Sequence, residues 1–174
     1  KHALTHDVAY HSLLVARRRT LHRLVGAAIE ELYRDRLEEQ YEILAYHYEQ
    51  AEAWEKAREY LQKSGDKALA AFAPSPAIAF YHRALAVAAK SGQTLAAEPA
   101  IAMHCSRGEA HLLINQWDDG IASFQAMLEA AQAAGDRVQE GLALDHCSRA
   151  YFTAHRFEEC LDCAERARHR ALET

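Results

Sequence analysis

The sequence predicts an all-α fold, an α-solenoid of antiparallel helix pairs. Three observations carry that prediction. Apolar residues recur at spacings of three and four over most of the chain, the period of a helix buried along one face. Only 7 Gly and 3 Pro occur in 174 residues, too few for the many tight turns of an all-β fold. One short phrase also returns four times between helical stretches: Trp54-Glu55-Lys56-Ala57, Pro74-Ser75-Pro76-Ala77, Trp117-Asp118-Asp119-Gly120 and Phe157-Glu158-Glu159-Cys160.

From the N-terminus, Thr5 suits the N-cap of a short helix over about residues 7–14. A longer helix is expected over 16–33. There Leu21, Leu24, Val25, Ala28, Ile29 and Leu32 form one apolar stripe, read as the buried face. Arg17, Arg18 and Arg19 stand at its N-terminal end, where the helix dipole does not favour cations. Charge divides the chain at about the same place. Residues 1–36 hold seven Lys/Arg and four Asp/Glu; residues 37–174 hold thirteen and twenty-one. The expected organisation is therefore a helical junction segment over 1–36 and repeated helix pairs over 37–174.

Each of the four phrases ends on a small residue: Ala57, Ala77, Gly120 and Cys160. Twelve residues earlier stand Ala45, Gly65, Gly108 and Ser148, and nine earlier Tyr48, Ala68, His111 and Tyr151. Four residues later come Leu61, Tyr81, Phe124 and Ala164. Antiparallel helices approach closely where small residues face each other, and large residues one turn away fill the space beside the contact. This pattern resembles the tetratricopeptide repeat. The intervals of 20, 43 and 40 residues depart from its period of about 34. The two long intervals fit extended helices or loops at 91–99 and 134–136. The short one predicts a bend at Ser64-Gly65, leaving a truncated helix through about Phe72 as half of the second pair. About four pairs result, with Pro76 suited to a first helical turn.

The first ninety residues carry a further resemblance. Lys1-His2-Ala3-Leu4-Thr5-His6-Asp7-Val8-Ala9-Tyr10, Ser12-Leu13-Leu14, Arg17-Arg18-Arg19, Leu21-His22, Leu44-Ala45-Tyr46-His47-Tyr48 and Gly65-Asp66-Lys67-Ala68 are its phrases. They resemble the stretch that follows the signal-transduction ATPase module in multidomain bacterial class III adenylate/guanylate cyclases, where tetratricopeptide repeats come next. Related ATPases occur in transcriptional regulators with the same repeats. His6 stands where that family phrase has Gln. The resemblance implies a cytoplasmic signalling protein, and a chain beginning at Lys1 without Met is expected to be a piece of it.

No catalytic centre is expected within these residues. The chain has no GxxxxGK[ST] phosphate loop and no GxSxG context around Ser106, Ser123 or Ser148. Its 11 histidines form no HExxH. Four cysteines, Cys105, Cys147, Cys160 and Cys163, read as reduced packing residues of a cytoplasmic protein. His104, Cys105, His146 and Cys147 together with Cys160-x-x-Cys163 offer metal-ligand types. Cys160 is already explained as a small-residue anchor, however, and no metal or cofactor is expected. A net charge of −5 excludes a dedicated nucleic-acid binder, and the absence of a long apolar run excludes a membrane span. The arginines at 17–19 and Arg23 are assigned to docking against an upstream module.

What remains is recognition. Tetratricopeptide arrays use the concave face of the first helix in each pair for peptides or partner domains. Counted from the anchors, that face takes Glu42, Tyr46 and Glu49 in the first unit. It takes Cys105, Glu109 and Leu112 in the third, and Asp145, Arg149 and Phe152 in the fourth. Leu112 and Phe152 suit either a groove or the next repeat. The packing set is Ala45, Tyr48, Ala57, Gly65, Ala77, Tyr81, Gly108, Gly120, Phe124, Ser148, Tyr151 and Cys160. The expected function is a non-catalytic sensor that binds a protein or peptide partner, or another domain of its own chain. The alternatives are the sensor array of a transcriptional regulator, or a self-association module forming a homodimer.

Overall fold

A computed structural model describes residues 14–92 and 95–173, and every regular element among them is helical. Eight α-helices follow one another: α1 Val15–Leu32, α2 Tyr41–Gln50, α3 Trp54–Ala70, α4 Pro74–Lys90, α5 Ala97–Leu113, α6 Trp117–Ala134, α7 Arg137–Thr153 and α8 Phe157–Glu173. A 3-10 segment, Arg34–Gln40, joins α1 to α2. Each helix packs on the next, and the described chain is an α-solenoid. The short helix expected over residues 7–14, its Thr5 cap and the first phrases of the cyclase resemblance lie outside the described residues. Leu14 alone is described there, extended ahead of α1. No described helix is long and apolar enough to cross a membrane.

Contacts beyond nearest neighbours sort the helices into two layers. α3 touches α5, and α5 touches α7. Glu30 of α1 accepts hydrogen bonds from Lys56 and Tyr60 of α3, at 2.6–2.8 Å. The odd-numbered helices therefore form one layer. In the other, Glu49 of α2 pairs with Arg83 of α4.

The recurring phrases have one structural cause. Two residues before each phrase, the chain turns through a left-handed residue that is not glycine: Glu52 (φ 52°), Phe72 (φ 55°), Asn115 (φ 59°) and His155 (φ 58°). The next amide then bonds back five residues. Ala53 N donates to Tyr48 O, Ala73 N to Ala68 O, Gln116 N to His111 O and Arg156 N to Tyr151 O, at 2.9–3.0 Å. This closure satisfies the last carbonyls of one helix and aims the next helix antiparallel to it. The connection between α6 and α7 uses the same closure with Gly135 (φ 67°) at the left-handed position. Asp136 then caps α7 by accepting from Gln139 N at 3.0 Å.

The expected bend at Ser64-Gly65 is absent, because Trp54–Ala70 is one helix. Ser64 is buried and returns its hydroxyl to Tyr60 O at 2.8 Å, so it needs no break to satisfy itself. Gly65 serves packing rather than a turn. A Cβ there would stand 2.7 Å from Tyr81 Cε1, so only glycine lets α3 and α4 close. The interval of 20 residues is thus one helix, not a shortened pair, and α3 packs on α2 and α4 alike.

The same glycine–aromatic contact recurs. A Cβ on Gly26 would meet Tyr48 at 2.9 Å, and one on Gly108 would meet Phe124 at 2.5 Å. In the last pair the anchor is Ser148, with Ala164 in place of the ring, and the Ser148 hydroxyl donates to Cys160 O at 3.1 Å. All of the expected packing set is buried except Ser148 and Cys160, which are half-buried. Two clusters make the core, one around Leu44, Tyr48, Leu61, Tyr81 and Met103, the other around Phe124, Met127, Leu144 and Cys147. Side chains of this size contribute about 1.5–3 kcal/mol each when fully buried.

Of the apolar stripe of α1, Ile29 alone packs against the core. Leu21, Leu24, Val25 and Leu32 are exposed, and the residues buried against α2 are His22 and Gly26. Close approach at Gly26, the polar contacts of Glu30 and the packing of Ile29 against the core decide which face docks.

Candidate functional site

The outer face of the odd layer is set by the glycine anchors. On α5 the positions three before, one after and four after Gly108 are Cys105, Glu109 and Leu112. On α7 the same offsets from Ser148 give Asp145, Arg149 and Phe152. α5 and α7 are in contact, so these residues belong to one continuous face. Glu109, Asp145, Arg149 and Phe152 are exposed, and Cys105 is half-buried. Phe152 is 61% exposed and meets Phe157 edge-on, with centroids 5.9 Å apart. Leu112 behaves differently. It is half-buried, and its Cδ2 lies 2.8 Å from where a Cβ on Gly120 would stand, so it covers the α5–α6 crossing.

Glu42, Tyr46 and Glu49 do not join this face. They lie on α2, in the even layer, and Glu49 is committed to Arg83 of α4. The cause is the unbroken α3: with one helix where a bend was expected, the alternation shifts and α3 becomes the odd-layer helix. Sequence reasoning therefore missed Gln62, Asp66 and Leu69, which hold the equivalent offsets from Gly65. The signal was available, because Gly65 precedes Tyr81 by the same sixteen residues that separate Gly108 from Phe124. Asp66 is exposed and accepts from the Tyr81 hydroxyl at 2.7 Å. Burial, and then Asp66 itself, hold the Tyr81 phenol well above its ordinary range.

No family model matches the chain, and no curated protein matches it. Among solved structures it is similar to one described as BtubC (BKLC) from P. vanneervenii. That match has a TM-score of 0.43 and 11% identity, and covers 92% of each chain.

The cysteines separate into two environments. Cys147 and Cys163 are buried together between α7 and α8, and burial pushes the Cys147 thiol up to about 12. Cys160 Sγ lies 3.4 Å from the Ser148 hydroxyl, in its packing position. Cys105 instead faces His146 across α5 and α7, with Sγ 3.6 Å from Nε2. His146 stacks on Phe124, with centroids 4.9 Å apart and planes 18° apart. His104 turns away from this pair toward Arg107, and burial followed by the Arg107 charge pushes it down to about 4.

At the other end, His22 and His47 approach Nδ1 to Nδ1 at 2.9 Å across α1 and α2. One neutral ring donates to the other. Burial lowers both, with Arg18 adding to the effect at His22 and His22 adding to it at His47. Beside them, burial works to raise the Glu30 carboxyl, but hydrogen bonds from Lys56, Tyr60 and Tyr48 outweigh it and hold that group below the usual carboxylate range.

Proposed function

We propose that this chain is a non-catalytic recognition domain of the tetratricopeptide type that binds a cationic peptide or partner segment on the odd-layer face. The observation that carries the reading is the composition of that face. Asp66, Glu109 and Asp145 outnumber Arg149, and Phe152 supplies an exposed aromatic beside them. Charges of one sign steer and orient an opposite partner, and an exposed ring gives it an anchor. The glycine–aromatic contacts repeated along the array support the tetratricopeptide assignment.

The resemblance of the first ninety residues to the ATPase–repeat junction of bacterial cyclases supports a place in a cytoplasmic signalling protein. A partner on the face would then bias the arrangement of a neighbouring module, which requires different affinities for two arrangements. The exposed stripe Leu21, Leu24, Val25 and Leu32, flanked by Arg17 and Arg23, favours α1 as the surface that meets such a module.

The test is fluorescence anisotropy with a labelled lysine-rich peptide and an aspartate-rich control. The lysine-rich peptide should bind, weaken with salt and weaken again in Asp145→Lys. Equal binding of both peptides, or an unchanged affinity in Asp145→Lys, would remove the face from the account. The purified chain should also neither hydrolyse ATP nor form a cyclic nucleotide.

A further inference from the structure

Cys105, Glu109 and His146 bring together three groups of different chemistry whose ligand atoms all lie within 4.8 Å of one another. We propose that they form a site for a thiophilic divalent transition metal, with zinc as the best fit. The sequence reading expected no metal, because Cys160 was explained by packing and a single CxxC is a weak signal. The fold keeps two of the ligand types offered by the sequence, Cys105 on α5 and His146 on α7, and adds Glu109 one turn along α5.

The distances fit the ion. With metal–sulfur at about 2.3 Å and metal–nitrogen at about 2.0–2.1 Å, a tetrahedral centre places sulfur and nitrogen about 3.6 Å apart. Cys105 Sγ and His146 Nε2 stand at 3.6 Å before any ion is added. Glu109 is the exposed and flexible member, and its carboxylate has to close by roughly an ångström to reach an ion seated between the other two. The imidazole plane is held by its stack on Phe124, so the nitrogen needs little ordering on binding.

The donor set also selects among metals. Thiolate with imidazole favours zinc, cobalt or copper over magnesium or calcium, which take oxygen ligands. Burial, then the nearby Glu109 charge, keep the Cys105 thiol protonated in the free protein. Binding forms the metal–sulfur bond as the thiol proton leaves to water. Three protein ligands on a partly exposed face leave the fourth position to water, or to a donor from whatever occupies the face. None of the site's geometry requires a partner, but it shares Glu109 with the proposed peptide face, so its test reads the metal alone with no peptide present.

Cobalt(II) is the probe, titrated into the full chain after treatment with a chelator and a reductant. About one equivalent should produce a near-ultraviolet sulfur-to-cobalt charge-transfer band with visible bands of tetrahedral intensity, and zinc should bleach both. Cys105→Ser should abolish the charge-transfer band, and His146→Ala and Glu109→Gln should weaken binding. Cys160→Ser should leave the band unchanged. Circular dichroism of each variant separates lost binding from lost folding, and zinc should raise the melting temperature of the wild type but not of Cys105→Ser. The proposal is overturned if no charge-transfer band appears, leaving a thiol–imidazole hydrogen bond only, or if a folded Cys105→Ser keeps the band. Its loss in Cys160→Ser would equally contradict it.

Discussion

The Tyr81 ring fills the space that a Cβ on Gly65 would occupy, with Cε1 only 2.7 Å from that position. The relationship links a packing detail to the layer assignment. It makes α3 the partner of α4, and that in turn places Asp66 on the same face as Glu109 and Asp145.

The glycines are therefore expected to separate into two kinds. At Gly108 an added methyl would meet Phe124, which is fully buried and has nowhere to move. Gly108→Ala should destabilise by about 1–3 kcal/mol despite its better helix propensity. Gly141, also helical, has only Arg170 Cβ nearby, at 3.8 Å. Gly141→Ala should stabilise by about 0.5–1 kcal/mol. Denaturant midpoints decide, and equal shifts at the two sites would contradict the close-approach account.

Phe72 combines φ 55° with 89% exposure, so it bears backbone strain without burying its ring. Left-handed conformations cost non-glycine residues about 1–3 kcal/mol. Phe72→Gly should raise stability by about 1 kcal/mol after the entropy of the freer unfolded chain is subtracted. A lower melting temperature would mean that the ring contributes more than its exposure indicates.

Leu112 and Phe152 should respond differently to serine. Leu112 covers Gly120, and its loss opens the α5–α6 crossing, at about 1–3 kcal/mol for a half-buried leucine. Phe152→Ser should cost under about 1 kcal/mol while weakening binding of a lysine-rich peptide. Thermal melts that rank the two in the opposite order would place Phe152 in the core.

Acid should loosen the array before its carboxylates titrate. His22, His47 and His104 are all held below the ordinary value of 6.5 in the fold, His104 down to about 4. Between these limits the unfolded chain binds more protons, so stability rises with pH. The contribution is complete above about 6.5 and is lost as pH falls toward the lowered values. Urea midpoints should drop from pH about 7.5 to about 5, and His104→Gln should reduce the drop. Midpoints independent of pH in that window would show that these rings are not neutral in the fold.

The helical class, the phrase positions and most of the packing anchors were readable in the sequence, because small-residue spacing reports helix crossings directly. The turns were readable only as phrases. Their left-handed residues are Glu52, Phe72, Asn115 and His155, and none is the glycine that marks such a cap. The bend at Ser64-Gly65 misled because a serine–glycine pair serves a break and a close crossing alike. The Tyr81 ring, distant in sequence, decides between them. Most of the α1 face was misread for a related reason: its leucines are periodic, but Gly26, Ile29 and Glu30 supply the docking contacts. Cys105 was read as a groove residue and, with His104, His146 and Cys147, as one of several metal-ligand types explained by packing. Nothing local in the sequence shows that α5 and α7 bring Cys105 and His146 to 3.6 Å.

The recognition reading meets its most direct test in backbone amide chemical shifts of the isotope-labelled chain, followed while a lysine-rich peptide is titrated in. The account predicts that the largest perturbations fall on α3, α5 and α7, around Asp66, Glu109, Asp145, Arg149 and Phe152, and diminish with added salt. Perturbations centred on α2, α4, α6 or α8, or none at peptide concentrations in the millimolar range, would contradict it.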